Sequence, residues 1–235
     1  MRATLKRYGI FYTFAIILKS KKMKDFYTLK QDTRNELRGF WTQPVLATLV
    51  LMLISGACSA LGILGIGFVL SLLVIIPLDF GFTIAMYDFV HGSKLDTIDR
   101  MFSCFKQYSR SLAVSLLKTV YIFLWTLLLI IPGIVKSYSY AMAYYIAKEN
   151  PEMRPEECIN TSMRMMQGYK GRLFLLDLSF IGWWLLCILT FGILWFWVLP
   201  WMEATHVNFY EELKAKNAPD ANTGAGWYTT NTNVN

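Results

Sequence analysis

The chain has 235 residues, of which 55% are apolar, 16% are aromatic and only 17% are charged. A soluble domain carries about 25% charged residues, so this composition excludes a disordered chain and disfavours an ordinary soluble globule. Four Cys residues in this length also exclude a disulfide-stapled scaffold. The composition predicts an integral membrane protein, whose net charge of +7 must be explained at a membrane.

The first 22 residues combine a short apolar run with a cluster of lysines. The run over residues 8–18 is too short to cross a bilayer core, which needs roughly 20 helical residues. We interpret residues 1–22 either as an interfacial helix or as an artefact of the start site. The lysines after the run either bind anionic lipid or only fix the orientation of the chain. They are Lys19, Lys21, Lys22 and Lys24.

Six apolar stretches follow this extension. Four of them are long and carry at most one charge: residues 45–64, 67–87, 112–131 and 173–189. Two stretches are weaker. The stretch 134–147 is short for a span, and the stretch 193–210 carries Glu203 and His206 near its end. Backbone groups in lipid must bond within their own segment, so all six stretches are predicted to be helices. We predict an all-α membrane protein of about six transmembrane helices in three hairpins.

A short segment with the pattern of an amphipathic helix precedes each predicted hairpin. These segments end in similar polar-aromatic steps, at residues 38–41, 106–109 and 167–170. Each hairpin also contains two aliphatic residues followed by a proline, at Pro77, Pro132 and Pro200. The recurring markers predict a threefold internal repeat, in which each unit is a cytoplasmic amphipathic helix followed by a hairpin.

The basic residues fall almost entirely on one side of the predicted membrane. Of the 23 Lys and Arg residues, only Lys118 and Lys136 lie within or beside a predicted span. The positive-inside rule therefore predicts that both termini and both long loops are cytoplasmic. No nucleic-acid-binding motif accompanies the positive charge, so we interpret the charge as a feature of the membrane surface.

Five ionisable residues lie within the predicted spans, where charge is costly and often functional. Three of them, Asp79, Lys136 and Glu203, follow the marker prolines by two to four residues. If the repeats superpose, these three form one intramembrane polar cluster, which would line an ion or proton path. Lys118 and Asp177 form a second candidate, a helix–helix ion pair. The structural alternatives are buried ion pairs that fix helix register and snorkelling of residues near the interface.

The sequence contains no constellation typical of an enzyme, a metal site or a cofactor site. It has no CxxC, HExxH, GxSxG or P-loop motif, and its four Cys and two His are widely separated. Cys104 and Cys158 are predicted to be free thiols. Tryptophans in the last hairpin predict an aromatic belt at the membrane interfaces, or alternatively a stacking site for a ligand. They are Trp183, Trp184, Trp195, Trp197 and Trp201.

Three stretches resemble a known family of bacterial membrane proteins, domain-of-unknown-function family 975. They are RNELRGFW at residues 34–41, LLLIIPGIVKSYSYAM at 127–142 and GYKGRLFLLDLSFIGWWLLCILTFGILWFWVLPW at 168–201. The resemblance implies a multi-span membrane protein of Gram-positive-type bacteria, and it implies neither an activity nor functional residues. Members of that family open near the position of Met23, which sets residues 1–22 apart.

These observations predict one helical membrane domain over residues 23–214, followed by a disordered polar tail over 215–235. The predicted location is the bacterial cytoplasmic membrane. The first functional hypothesis is a non-enzymatic protein that organises or protects the bilayer or serves as a partner subunit. The alternative is a small transporter or channel-like protein. The expected partners are the bilayer, with anionic lipid at the basic face, and a membrane protein or a second copy of the chain.

Overall fold

A computed structural model describes residues 23–62 and 71–217, and all regular structure within them is helical. This confirms the predicted all-α class for that part of the chain. The extension over residues 1–22, the predicted turn after residue 62 and the tail from residue 218 lie outside the described residues. The helices are α1 (Phe26–Leu37), α2 (Thr42–Gly62), α3 (Ile76–Val90), α4 (Thr97–Phe102), α5 (Tyr108–Leu128), α6 (Ile130–Ser139), α7 (Ala143–Glu149), α8 (Pro155–Met165), α9 (Lys170–Leu178), α10 (Ile181–Leu189) and α11 (Trp195–Asn217).

Four segments are long and apolar enough to cross a membrane, and they correspond to the four strong stretches in the sequence. They are Thr42–Ala60 in α2, Leu73–Val90 with α3, Tyr108–Leu128 in α5, and Lys170–Leu189, which joins α9 and α10. A break at Ser179 and Phe180 separates α9 from α10. Four helical segments of the described chain are therefore compatible with the membrane character that the composition predicts.

The two weaker stretches differ from the simple spans that the hydropathy pattern predicts. Residues 134–147 do not form one helix, because α6 ends at Ser139 and α7 begins only at Ala143. The intervening turn contains Tyr140, which is buried. The stretch 193–210 begins two residues before α11 and otherwise lies within it. Helix α11 is a single helix of 23 residues, and its second half is rich in charged side chains. Neither stretch has the length and apolar composition of the other four.

Proline and glycine set the ends of several short helices. Pro155 lies in the first turn of α8, where a missing N–H costs no helical hydrogen bond. Gly39 and Gly168 follow α1 and α8 with φ of +86° and +79°, a backbone conformation that glycine adopts without strain. Both glycines lie within the polar-aromatic steps that predict the ends of the amphipathic segments.

Helix α3 forms the centre of the molecule. The span that contains it is 61% buried, against 22% for α2 and 17% for α5. It approaches its neighbour closely at Gly81, where an added Cβ would lie 2.1 Å from the carbonyl oxygen of Met101 and 2.8 Å from the Cys104 sulfur. Because α4 lies directly against this glycine, any side chain there would force the two elements apart.

We expect Gly81→Ala to destabilise the protein by about 3 kcal/mol, since overpacking a backbone contact requires helix displacement. Thermal unfolding in detergent micelles measures this as a lowered Tm. The matched control is Gly56→Ala in α2, where no heavy atom lies within 4 Å of the added Cβ. The packing assignment is wrong if both variants unfold at the same temperature as the parent chain.

Candidate functional site: a charged cavity between the helices

Several ionisable groups line a cavity of about 340 Å³. Helices α3, α5, α6, α7, α9 and α11 all contribute to its wall. We call it the central cavity. Its volume falls in the range of about 300–1,000 Å³ that is typical of small-molecule sites. Three of the contributing helices belong to the apolar spans, so the cavity brings polar groups together inside the apolar part of the fold.

Three carboxylates and two basic groups face this cavity. The carboxylates are Asp79 on α3, Asp177 on α9 and Glu203 on α11, and the basic groups are Lys118 on α5 and His206 on α11. Hydroxyl groups complete the polar lining, from Thr83, Ser137, Tyr138, Tyr144 and Tyr145. The acidic groups outnumber the basic ones whether His206 is neutral or protonated. The cavity therefore favours positively charged occupants.

Helix periodicity explains why these side chains share one cavity. Glu203 and His206 are three residues apart on α11, and Asp79 and Thr83 are four apart on α3. Residues at these spacings lie on the same face of a helix. Each of these two helices thus presents one polar stripe to the cavity.

The basic groups make few direct contacts with the carboxylates. His206 Nε2 lies 2.6 Å from Asp177 Oδ1, and this is a direct pair. The Lys118 ammonium instead lies 3.8 Å from the centre of the Tyr144 ring, where it makes a cation–π contact. Asp79 and Glu203 interact with Lys118 electrostatically across the cavity. Within the described chain, neither forms a direct ion pair with it, so space for water or a small solute separates the charges.

The structure brings together four of the five ionisable residues singled out in the sequence. Asp79 and Glu203 both face the central cavity, together with Lys118 and Asp177. Asp177 pairs with His206 rather than with Lys118.

Lys136 does not join them. Its ammonium lies 4.6 Å from the centre of the Trp125 ring and 4.0 Å from the Met163 sulfur. The offset from the marker proline differs: Lys136 follows Pro132 by four residues, whereas Asp79 follows Pro77 by two and Glu203 follows Pro200 by three. Lys136 therefore occupies a different register from Asp79 and Glu203, and Lys118 supplies the cavity with its lysine.

Sequence reasoning missed the contribution of His206 to this site. The available signal was its spacing of three residues from Glu203, which predicts a shared helix face. It also missed Tyr144 and Tyr145, because the stretch that contains them was predicted to be a weak membrane span that is rich in Ser and Tyr. Their placement depends on the turn before α7, which no local pattern indicates.

A layer of tyrosines separates the central cavity from a second charged group. Tyr145 lines the cavity, and its ring centre lies 5.0 Å from that of Tyr210 and 5.9 Å from that of Tyr87. The Tyr87 and Tyr210 hydroxyls donate hydrogen bonds of 2.6 and 2.9 Å to the Glu149 carboxylate. Lys214 also donates to Glu149. Tyr87, Glu149, Tyr210 and Lys214 form what we call the Glu149 cluster.

The Glu149 cluster joins the C-terminal parts of α3, α7 and α11. Burial acts to raise the pKa of Glu149, but the hydrogen bonds from Lys214, Tyr87 and Tyr210 outweigh burial and hold the pKa below its ordinary value of 4.5. A depressed pKa in the folded state stabilises the fold at every pH above the unfolded value. This stabilisation is lost as the pH falls through the folded pKa.

We expect Glu149→Gln to lower the Tm by about 5 °C at pH 7, because hydrogen bonds to a charged acceptor contribute about 2 kcal/mol. The difference from the parent chain should shrink as the pH falls below 4.5, where Glu149 of the unfolded parent chain begins to bind a proton. Thermal scans in detergent between about pH 2.5 and pH 8 test this. Glu152→Gln, at an exposed position, is the control. A difference that stays constant with pH would contradict the role of the carboxylate charge.

The cysteines and histidines do not form a metal site in the part of the chain that the structure describes. The four cysteines are free and buried, which agrees with the predicted free thiols at Cys104 and Cys158. Burial raises the pKa of the Cys104 thiol to about 11, so the reactive thiolate is scarce at neutral pH.

Comparison with known proteins identifies a family. No curated protein and no solved structure matches the chain. The family model described as "Protein of unknown function (DUF975)" matches residues 23–136 and again residues 127–217. These two matches span the described helices from α1 to α11 and include every ionisable residue of the central cavity. The chain therefore belongs to the DUF975 family.

Proposed function

We propose that this protein is a small transporter or channel-like protein that moves protons through the central cavity. In this proposal it is not an enzyme, and it resides in the bacterial cytoplasmic membrane. The observation that carries the proposal is the excess of carboxylates around a cavity in which most of the charges are not directly paired within the described chain.

The energetic cost of the cavity supports a functional role. Asp79, Lys118 and Asp177 lie within segments that are otherwise apolar enough to span a membrane. A charged residue at the centre of a membrane helix costs about 3 kcal/mol or more, unless water or partners compensate. Direct ion pairs would offset this cost if the role were only structural. Of the five ionisable groups of the cavity, only Asp177 and His206 form a direct pair within the described chain.

The charge balance supports a cation as the solute. Asp79, Asp177 and Glu203 together exceed the positive charge that Lys118 and His206 can supply. One bound cation or added proton brings the cavity closer to neutrality. Tyrosine rings and hydroxyls in the lining add cation–π contacts and hydrogen-bond acceptors for such a solute.

The proposed topology has six spans in three hairpins with both termini in the cytoplasm. In this arrangement α6 with α7 and the first part of α11 act as the second helices of the last two hairpins. The confinement of nearly all basic residues to one predicted face supports it.

A second candidate is a non-enzymatic subunit that organises the bilayer or binds another membrane protein. The observation that favours it is the broad apolar surface of α5 and α10, where Leu127 is 73% and Ile188 is 74% exposed. This surface suits lipid, a protein partner or a second copy of the chain equally well. The central cavity favours the first candidate, because a purely structural subunit has no need of an open acidic cavity.

Proton flux into liposomes tests the proposal directly. The full chain is reconstituted with a pH-sensitive dye trapped inside, and a potassium diffusion potential drives protons inward. We expect the chain to accelerate the dye response at least about tenfold over empty liposomes. Glu203→Gln and Asp79→Asn should reduce the response to the background of empty liposomes, since each removes a proton-binding carboxylate from the cavity.

Two control variants separate a role in transport from a role in folding. Glu152→Gln removes an exposed carboxylate, and Lys136→Gln removes a lysine that contacts Trp125 outside the cavity. Both should conduct like the parent chain. If the parent chain conducts no faster than empty liposomes, or if the cavity variants lose stability and not flux, the second candidate replaces the first.

A further inference from the structure

A second cavity, of about 410 Å³, differs from the central cavity in chemistry. Four tryptophans dominate its lining: Trp41, Trp183, Trp197 and Trp201. Arg34 of α1 completes the polar part of the wall, and Leu194 and Val198 form an apolar side. We call it the tryptophan cavity. No carboxylate of the described chain belongs to its lining.

Arg34 holds the one formal charge that the described residues bring to the tryptophan cavity. Its side chain is exposed, and its guanidinium lies 5.8 Å from the centre of the Trp201 ring. Within residues 23–62 and 71–217, the guanidinium makes no hydrogen bond or ion pair. Arginine presents five N–H donors in a planar fork that fits two oxygens of a phosphate. An anion is therefore the occupant that this group selects.

The tryptophans add further donors. Trp201 Nε1 already donates to the carbonyl oxygen of Lys30 at 3.2 Å. The indole N–H groups of Trp41, Trp183 and Trp197 make no hydrogen bond within the described chain, and an indole N–H can only donate. The polar side chains of the tryptophan cavity thus consist of donors, whereas the lining of the central cavity includes three carboxylates, which can only accept when ionised.

One wall of the cavity lies at the end of a candidate membrane span, while Trp183 of the opposite wall lies within the span Lys170–Leu189. Trp41 immediately precedes Thr42, the first residue of the span Thr42–Ala60. Tryptophan rings are enriched where membrane helices meet the headgroup layer, because the ring is apolar and its N–H is polar. Leu194 and Val198 offer an apolar wall to the hydrocarbon that begins below that layer.

We propose that the tryptophan cavity binds the phosphate of one anionic phospholipid through Arg34, with the start of an acyl chain packed against Leu194 and Val198. The charge of Arg34 complements the phosphate, and the apolar wall complements the chain. A cationic or zwitterionic headgroup would bring an ammonium group beside Arg34, where the described lining has no carboxylate to receive it. This site is independent of the transport role proposed for the central cavity.

Quenching of tryptophan fluorescence tests the proposal on the full chain in detergent. The probe is phosphatidylglycerol with brominated acyl chains, because bromine quenches indoles that it contacts. We expect saturable quenching, and we expect Arg34→Gln to weaken the apparent affinity at least tenfold, which corresponds to about 1.4 kcal/mol. Arg34→Lys should give an intermediate loss, since lysine keeps the charge but not the fork.

Matched controls distinguish binding in this cavity from lipid binding elsewhere on the surface. Arg38→Gln removes an exposed arginine one helical turn along the chain, outside the cavity lining, and should change the affinity less than about twofold. Brominated phosphatidylcholine should bind at least about tenfold more weakly than brominated phosphatidylglycerol. Equal binding of the two lipids, an unchanged affinity in Arg34→Gln, or full displacement by millimolar inorganic phosphate would overturn the proposal. The last result would instead indicate a site for a soluble anion.

Discussion

The cost of placing charge within an apolar helix is the constraint on which this structure depends. Asp79, Lys118 and Asp177 interrupt three segments that are otherwise suited to lipid, and none of them is tolerable on a lipid-facing surface. The fold meets this constraint by turning all three toward one cavity, where Glu203 and His206 join them. The central position of α3 follows from the same requirement, because it carries both Asp79 and the tight packing at Gly81.

The two cavities of the described chain differ in charge. Three carboxylates line the central cavity, whereas Arg34 is the charged residue that lines the tryptophan cavity. The Glu149 cluster lies beyond Tyr145 and ties three helices together. This layer of tyrosines closes the central cavity on the side of the Glu149 cluster.

Local sequence patterns predicted the elements better than the contacts between them. The four strong spans follow from hydropathy alone, since a helix of sufficient apolar length is recognisable without its neighbours. Asp79 and Glu203 follow their marker prolines by two and three residues and face the same cavity. Lys136 follows Pro132 by four residues and lies outside that cavity, and the break before α7 depends on how Tyr140 is buried in the tertiary structure. Predicting the role of His206 would have required knowing which face of α11 it occupies and that Asp177 lies beside it.

The central claim is that the charged cluster lies in a cavity that water enters from outside the lipid. Cysteine accessibility measures this most directly, in intact membranes and in a chain whose four native cysteines are replaced. Ser137→Cys introduces a thiol into the cavity lining, and Ile188→Cys introduces one on the apolar surface of α10. A charged methanethiosulfonate reagent should modify the first and spare the second. Protection of both positions would contradict the account, because the charges would then be buried without access to water.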